Sequence, residues 1–357
     1  MNRREMIRAA LAATLLVRPA AALAQDAAPH PLQPAWTAWK AAVMTPEGRI
    51  VDALQQGASH SESQGYGLLL AATLGDAAAF DAIDAWTMAH LAVRPDALLA
   101  WRWLPDAAAP VPDLNNASDG DLFYAWALVR AAVTLNRPEL IPRATAIAGA
   151  LAATCIVAHP DGSGRQVLTP AAAGFQRETG LVFNPAYLMP LALREVATAT
   201  GVAALRICAS DGLSILSDLA SAGLMPDWIE LRADGTAPAA DLSDATGYDA
   251  LRVPLFLIWS GDADHAAVTN QARADAAAQV AWGGAPTRMD RLTGRVLELS
   301  PDAGYAAIRR LTACAATPQQ TGSFVPAFTT DQPYYPATLH LMTLLAQTET
   351  LPRCVPL

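Results

Sequence analysis

Three short segments of the chain place carboxylic acids beside small and polar residues. The first is Ser59-His60-Ser61-Glu62-Ser63-Gln64-Gly65-Tyr66-Gly67, with Glu62 as its acid. The second is Asn115-Asn116-Ala117-Ser118-Asp119-Gly120-Asp121. The third is Gly247-Tyr248-Asp249-Ala250-Leu251-Arg252-Val253-Pro254. A positioned carboxyl group can give or take a proton while a bond breaks. Each segment also has a plain structural reading. Ser59 and Glu62 have the spacing of a capping box, in which a glutamate closes the first turn of a helix. Asn, Ser and Asp are favoured helix caps, which would account for the second segment. Asp249 and Arg252, three residues apart, share a helical face and would make a surface ion pair worth ~0–1 kcal/mol. The Asp119-Gly120-Asp121 run lacks the remaining ligands of a calcium loop, so no metal is assigned. Gly65 and Gly67 argue for more than a cap, because each costs about 0.5–1 kcal/mol in a helix relative to alanine. Their use is close approach by another helix or a ligand.

All three segments sit where helices should begin. Apolar residues recur at three and four positions over 34–44, 63–74, 77–92, 120–135, 139–155, 186–199, 202–220, 250–259, 265–281, 301–316 and 335–348, which predicts helices there. Pro254 belongs in a first turn, so its helix should start near Asp249 or just after it. Long loops rich in Pro, Gly, Asp and Asn lie at 105–116, 159–174 and 231–247. Loops of that length on a rigid scaffold often carry function. Ala and Leu dominate the composition and favour an all-α chain. No linker tract divides residues 25–357, so they are expected to form one domain. About a dozen helices is compatible with a toroid without selecting it.

The 357 residues carry 33 acids against 24 Lys and Arg, a formal charge of −9. Such a chain has no electrostatic footprint for nucleic acid. A neutral polymer or small molecule is the more natural partner. Residues 1–24 have the order of an export signal: Arg3, Arg4 and Arg8, then an apolar run from Ala9 to Val17, then Ala22-Leu23-Ala24. Cleavage after Ala24 would leave a net charge of −12 and a periplasmic or secreted protein. The apolar run is shorter than the ~20 residues that span a bilayer. Cys155 and Cys208 lie in apolar helical runs and read as buried thiols. Cys314 and Cys354 are compatible with a disulfide in an exported protein.

In this order the three segments resemble the signatures of glycoside hydrolase family 8. Ser61-Glu62-Ser63-Gln64-Gly65-Tyr66-Gly67-Leu68 is similar to its S-E-G-Q-x-Y-G-M segment. Ala117-Ser118-Asp119-Gly120-Asp121 is similar to A-[ST]-D-[AG]-D, and Tyr248-Asp249-Ala250-Leu251-Arg252 to Y-D-A-x-R. Phe183-Asn184-Pro185-Ala186-Tyr187 agrees with a further segment, and the resemblance runs over about 34–348. The wording around Asp119 and the Leu99-Ala100-Trp101-Arg102-Trp103 stretch are closest to periplasmic endoglucanases associated with bacterial cellulose synthases. Ser63, Leu68 and Tyr124 depart from the family pattern. Ser63 puts the level of activity in question, through a narrowed groove or an added hydrogen bond.

The resemblance implies an (α/α)6 toroid that cuts a β-1,4-glucan with inversion and needs no cofactor. Glu62 would be the proton donor and Asp249 the base that activates water. Asp119 would bind substrate, and is the competing assignment for the base. An inverting enzyme needs a Glu62–Asp249 separation of about 6.5–9.5 Å. Glu62 must stay protonated although a helix N-terminus favours the anion by about 0.3–1 kcal/mol. Tyr187 and Arg252 would position water and base. Trp101, Trp103, Tyr334, Asp121 and Gln64 complete the expected substrate contacts. A monomer is expected, with a functional link to a cellulose synthase complex. Other family specificities (chitosan, xylan or mixed-linkage glucan) and a non-catalytic glycan-binding protein are the alternatives. A polysaccharide lyase would want a basic groove, of which there is no sign.

Overall fold

The computed structural model describes residues 30–278 and 284–355. The expected export signal lies outside the described residues, as do residues 279–281 of the ninth expected helix. Eleven α-helices occur among the described residues: α1 (Gln33–Val43), α2 (Ser61–Thr73), α3 (Ala77–His90), α4 (Ser118–Thr134), α5 (Ile141–Thr154), α6 (Pro190–Thr200), α7 (Ala203–Ala222), α8 (Arg252–Trp259), α9 (Ala266–Ala277), α10 (Ala303–Ala315) and α11 (Tyr334–Thr350). Each falls on one of the eleven segments expected from apolar periodicity. Among the described residues, none is long and apolar enough to cross a membrane.

Two kinds of helix are present. In α1, α6 and α10 the buried residues form one stripe, the pattern of a helix with a solvent face. In α2, α4, α8 and α11 most residues are buried: 11 of 13, 13 of 17, all eight and 12 of 17. A helix apolar all round has to lie inside the protein. The packing follows that division. α2 packs on α4, α4 on α6, α6 on α8 and α8 on α11, while α3, α5, α7, α9 and α10 pack against members of this series. The first and last of the described α-helices meet where α1 packs on α11 and Trp39 Nε1 donates to Thr338 Oγ1 at 3.0 Å. An aromatic column lies between α2, α4 and α8. Tyr66 meets Phe123 edge-on with centroids 4.6 Å apart, and Phe123–Phe256 and Trp126–Trp259 follow at 5.4 and 5.3 Å.

Short strands, which were not expected, pin the loops. β1 (Ser59–His60) pairs antiparallel with β2 (Arg102–Trp103), so His60 faces Arg102. β3 (Ile156–Ala158) pairs with β4 (Gln166–Leu168). β5 (Leu181–Phe183), β6 (Ile229–Arg232) and β7 (Gly235–Ala237) make a three-stranded sheet. β8 (Ala285–Met289) and β9 (Val296–Ser300) form a hairpin. Two to five residues carry no detectable period of two, which is why these pairings were not legible in sequence. Cys314 and Cys354 are joined as a disulfide, whereas Cys155 and Cys208 are buried free thiols.

Candidate active site

The N-terminal ends of α2, α4 and α11 and the turn ahead of α8 open onto one pocket of about 510 Å³. Glu62 lies in the first turn of α2, Asp119 in that of α4, and Asp249 one turn ahead of α8. All three line the pocket with Tyr187, Trp101 and Tyr334.

The start of α2 differs from the expected capping box. Ser59 belongs to β1, and its hydroxyl donates to the Ile50 carbonyl at 2.5 Å. Ser63 is the residue that closes the turn: its Oγ accepts from the His60 N–H at 3.0 Å and donates to the His60 carbonyl at 2.9 Å. The serine that departs from the family pattern is therefore spent on the backbone beneath the pocket. Glu62 is released from capping and faces the cavity with 22% of its side chain exposed.

The glycines are explained by helix approach. A methyl group on Gly120 would fall 2.2 Å from Ser61 Oγ and 2.7 Å from the Glu62 nitrogen. One on Gly65 would fall 3.0 Å from the Gly120 carbonyl oxygen. Two missing side chains let α2 and α4 touch at the level where their acids sit.

Arg252, only 1% exposed, lies beneath the three carboxylates. Its Nη1 donates to Glu62 Oε2 at 2.9 Å, to Tyr66 Oη at 3.0 Å and to Asp119 Oδ2 at 3.4 Å. Its Nη2 donates to Asp249 Oδ1 at 2.5 Å. The guanidinium also lies 5.7 Å from the centroid of the Tyr187 ring. The plain reading of Asp249 and Arg252 as a surface pair gives way to a buried guanidinium on which three acids converge.

Burial is the largest influence on Glu62 and pushes its pKa up to about 7; Arg252 opposes, and Asp119 and Asp249 add to the rise. Asp119 rises to about 6, again chiefly through burial, against the pull of Arg252 and of the Gly120 N–H, which donates to its Oδ1 at 2.8 Å. The sequence posed a conflict between the helix dipole and a protonated Glu62. Burial resolves it, and Arg252 is an opposing charge that the sequence did not reveal.

Three expected substrate contacts are corrected. Gln64 points into the core, where Oε1 accepts from the Ile50 N–H at 2.7 Å and Nε2 donates to Thr87 Oγ1 at 2.9 Å. Asp121 is fully buried behind the pocket, accepting from the Leu99 N–H at 2.7 Å and from Asn116 Nδ2 at 2.9 Å. Trp103 packs edge-on against Trp86 and under the Arg49 guanidinium instead of facing the pocket. Trp101, two residues earlier and just ahead of β2, is the one that reaches the cavity. It stacks on His60 at 6.0 Å and its Nε1 donates to Asp113 Oδ2 at 2.9 Å. Sequence reading missed Asp52, His60, Asp302, Tyr305 and Tyr335 in the lining. Single residues in loops and helix starts carry no periodic signal.

A helical scaffold with three carboxylates converging on one pocket fits acid–base cleavage of a glycosidic bond. A profile for Glycosyl hydrolases family 8 matches residues 6–349. The chain belongs to that family and is a glycoside hydrolase. It is 37% identical over 230 residues to an endoglucanase of Cellulomonas uda, matching 64% of this chain and 63% of that protein. It is 33% identical over 340 residues to a probable endoglucanase of Novacetimonas hansenii, covering 91% of this chain and 93% of that one. Among solved structures, the endo-β-1,4-glucanase of Acetobacter xylinum superposes with a TM-score of 0.78 at 31% identity, covering 90% of this chain and 99% of that one.

Proposed function

We propose that the protein is an endo-β-1,4-glucanase that hydrolyses its substrate with inversion. The observation that carries this is the gathering of Glu62, Asp119 and Asp249 around Arg252 at one pocket. Relatives that match nearly the full chain are named as endoglucanases, which supports the substrate class. The series α2, α4, α6, α8 and α11, surrounded by the other helices, supports an (α/α)6 toroid.

Glu62 carries a proton near neutral pH because its surroundings disfavour the anion. It gives that proton to the glycosidic oxygen as the bond to the anomeric carbon breaks. Water attacks that carbon from the opposite face. Asp249 takes the proton that the water loses, so the anomeric centre inverts and no covalent intermediate forms. Solvent then returns a proton to Glu62 and removes one from Asp249. Arg252 bridges donor and base, so one rigid planar cation sets their spacing. Asp119 binds the sugar at the cleavage point and adds negative charge beside Glu62. Tyr187, lying over Arg252, helps to place the water, and Trp101 and Tyr334 are platforms for sugar rings.

The export signal, cleavage near Ala24, a periplasmic or secreted monomer and service to a cellulose synthase complex belong to the same proposal. They rest on the N-terminal pattern and on the motif wording around Asp119 and at Leu99-Ala100-Trp101-Arg102-Trp103. The test is E62Q. Its release of reducing ends from carboxymethylcellulose should fall by roughly 10²–10⁴-fold, the usual contribution of a general acid, with cello-oligosaccharide binding kept. Full activity in that variant would refute the donor. Turnover of chitosan but not of carboxymethylcellulose by the wild type would refute the substrate. Product anomers resolved by NMR decide between inversion and retention.

A further inference from the structure

Asp249 sits in a turn, not a regular element, so something must hold it. Residues 247–251 already curl toward α8: the Leu251 N–H donates to the Gly247 carbonyl at 3.0 Å and the Arg252 N–H to the Asp249 carbonyl at 3.0 Å. The first amides of such a turn point outward with no carbonyl to meet them. Asp227, buried at 7% exposure just ahead of β6, collects them. Its Oδ1 accepts from the N–H groups of Gly247 at 3.0 Å, Asp249 at 3.0 Å and Ala250 at 2.8 Å. Asp227 is itself held where its N–H donates to the Ala245 carbonyl at 2.8 Å. Its other oxygen lies 2.2 Å from where a methyl on Gly247 would sit, so only glycine admits it.

We propose that Asp227 is the positioning residue for the base: its single carboxylate oxygen ties three amides of the 247–250 turn and aims Asp249 across Arg252. This rests on the assignment of Asp249 as the base. Charged acceptors bind amides more tightly than neutral ones, which favours Asp over Asn here. A carboxylate anchor also fixes the turn without occupying the pocket, which Asp227 does not line.

The test uses the full chain as wild type, D227A, D227N, G247A and D249N, with kcat and KM on cellohexaose below each melting temperature. D227A should lower kcat about 100-fold, the cost of a misplacement near 1 Å, with KM within roughly threefold because sugar binding is untouched. D227N keeps an acceptor oxygen and should recover about tenfold of that loss, by the strength of neutral against charged bonds. G247A, which pushes on Asp227 from the other side, should lower kcat in the same way, and combining it with D227A should add little. If D227A does not fold, D227N and G247A carry the same comparison. Equal kcat in wild type, D227N and G247A, with only the melting temperature moved, would overturn the proposal. An active D249N would instead remove the base assignment, whatever Asp227 does.

Discussion

Arg252 donates a hydrogen bond to Glu62 Oε2 at 2.9 Å. The group proposed to deliver a proton therefore lies against a fixed positive charge, and only burial and two further acids keep it from ionising early. Burial pushes Glu62 up to about 7, Arg252 pulls it down, and Asp119 and Asp249 push it up. The alkaline limb of kcat/KM should lie near pH 7, falling about tenfold per pH unit as the donor ionises. In R252M the opposing charge is gone, so the limb should move to higher pH while the maximal rate drops. A limb that stays in place would mean that another group controls it.

Stability should follow the same carboxyl. Its folded pKa lies above the unfolded value of about 4.5, so folding favours the protonated form. The contribution is fully present below pH 4.5 and is lost as pH rises through about 7. Denaturant midpoints measured from pH 4.5 to 7.5 should therefore decline less steeply in E62Q than in wild type. Parallel curves would contradict the shift.

Gly120→Ala should be damaging twice over. The added methyl meets Ser61 Oγ and, at 2.7 Å, the Glu62 nitrogen and the Ser61 carbonyl carbon, backbone atoms that cannot yield without moving α2. Overpacking of this kind costs about 1–3 kcal/mol. Urea unfolding should read that loss, and kcat should fall below what the unfolded fraction explains. Wild-type kcat in a destabilised variant would separate helix contact from donor placement.

Trp101 and Gln64 should behave oppositely although both were expected to touch sugar. Trp101→Ala should raise KM about tenfold, or ~1.4 kcal/mol, with little change in kcat. Gln64→Ala strips partners from Ile50 and Thr87 inside the core. It should lower the melting temperature and leave KM near wild type. Oligosaccharide titrations beside thermal melts distinguish the two, and a raised KM in Gln64→Ala would return that residue to the groove.

The Cys314–Cys354 disulfide joins α10 to the segment after α11 across 40 residues. Closing a loop of that length is worth about 4 kcal/mol in the chain-entropy account. Cys354→Ser should lose a large part of it in urea titrations, with kcat unchanged because both cysteines lie away from the pocket. An unchanged midpoint in the oxidised wild type and the variant would argue that the bond adds nothing.

The sequence alone was enough for the eleven helices. Their apolar residues repeat over ten to twenty positions, and that period is a local property. It was also enough for family and acids, because Glu62, Asp119 and Asp249 stand in contiguous motifs at helix starts. Tertiary structure decided everything that depends on direction or on distant partners. Gln64 is two residues from Glu62, yet about half a helical turn carries it from pocket to core. Asp121 was turned away from substrate by the same helical geometry, and Trp103 by its packing against Trp86 and Arg49. Arg252 looked like a surface partner of Asp249 until α2 and α4 brought two more carboxylates to it. Asp227 bears no motif at all; its importance arises because a sheet places one carboxylate oxygen against three amides some twenty residues along the chain. Periodicity and motifs reside in neighbouring residues, whereas burial, opposing charge and the aim of a side chain exist only once the helices are packed.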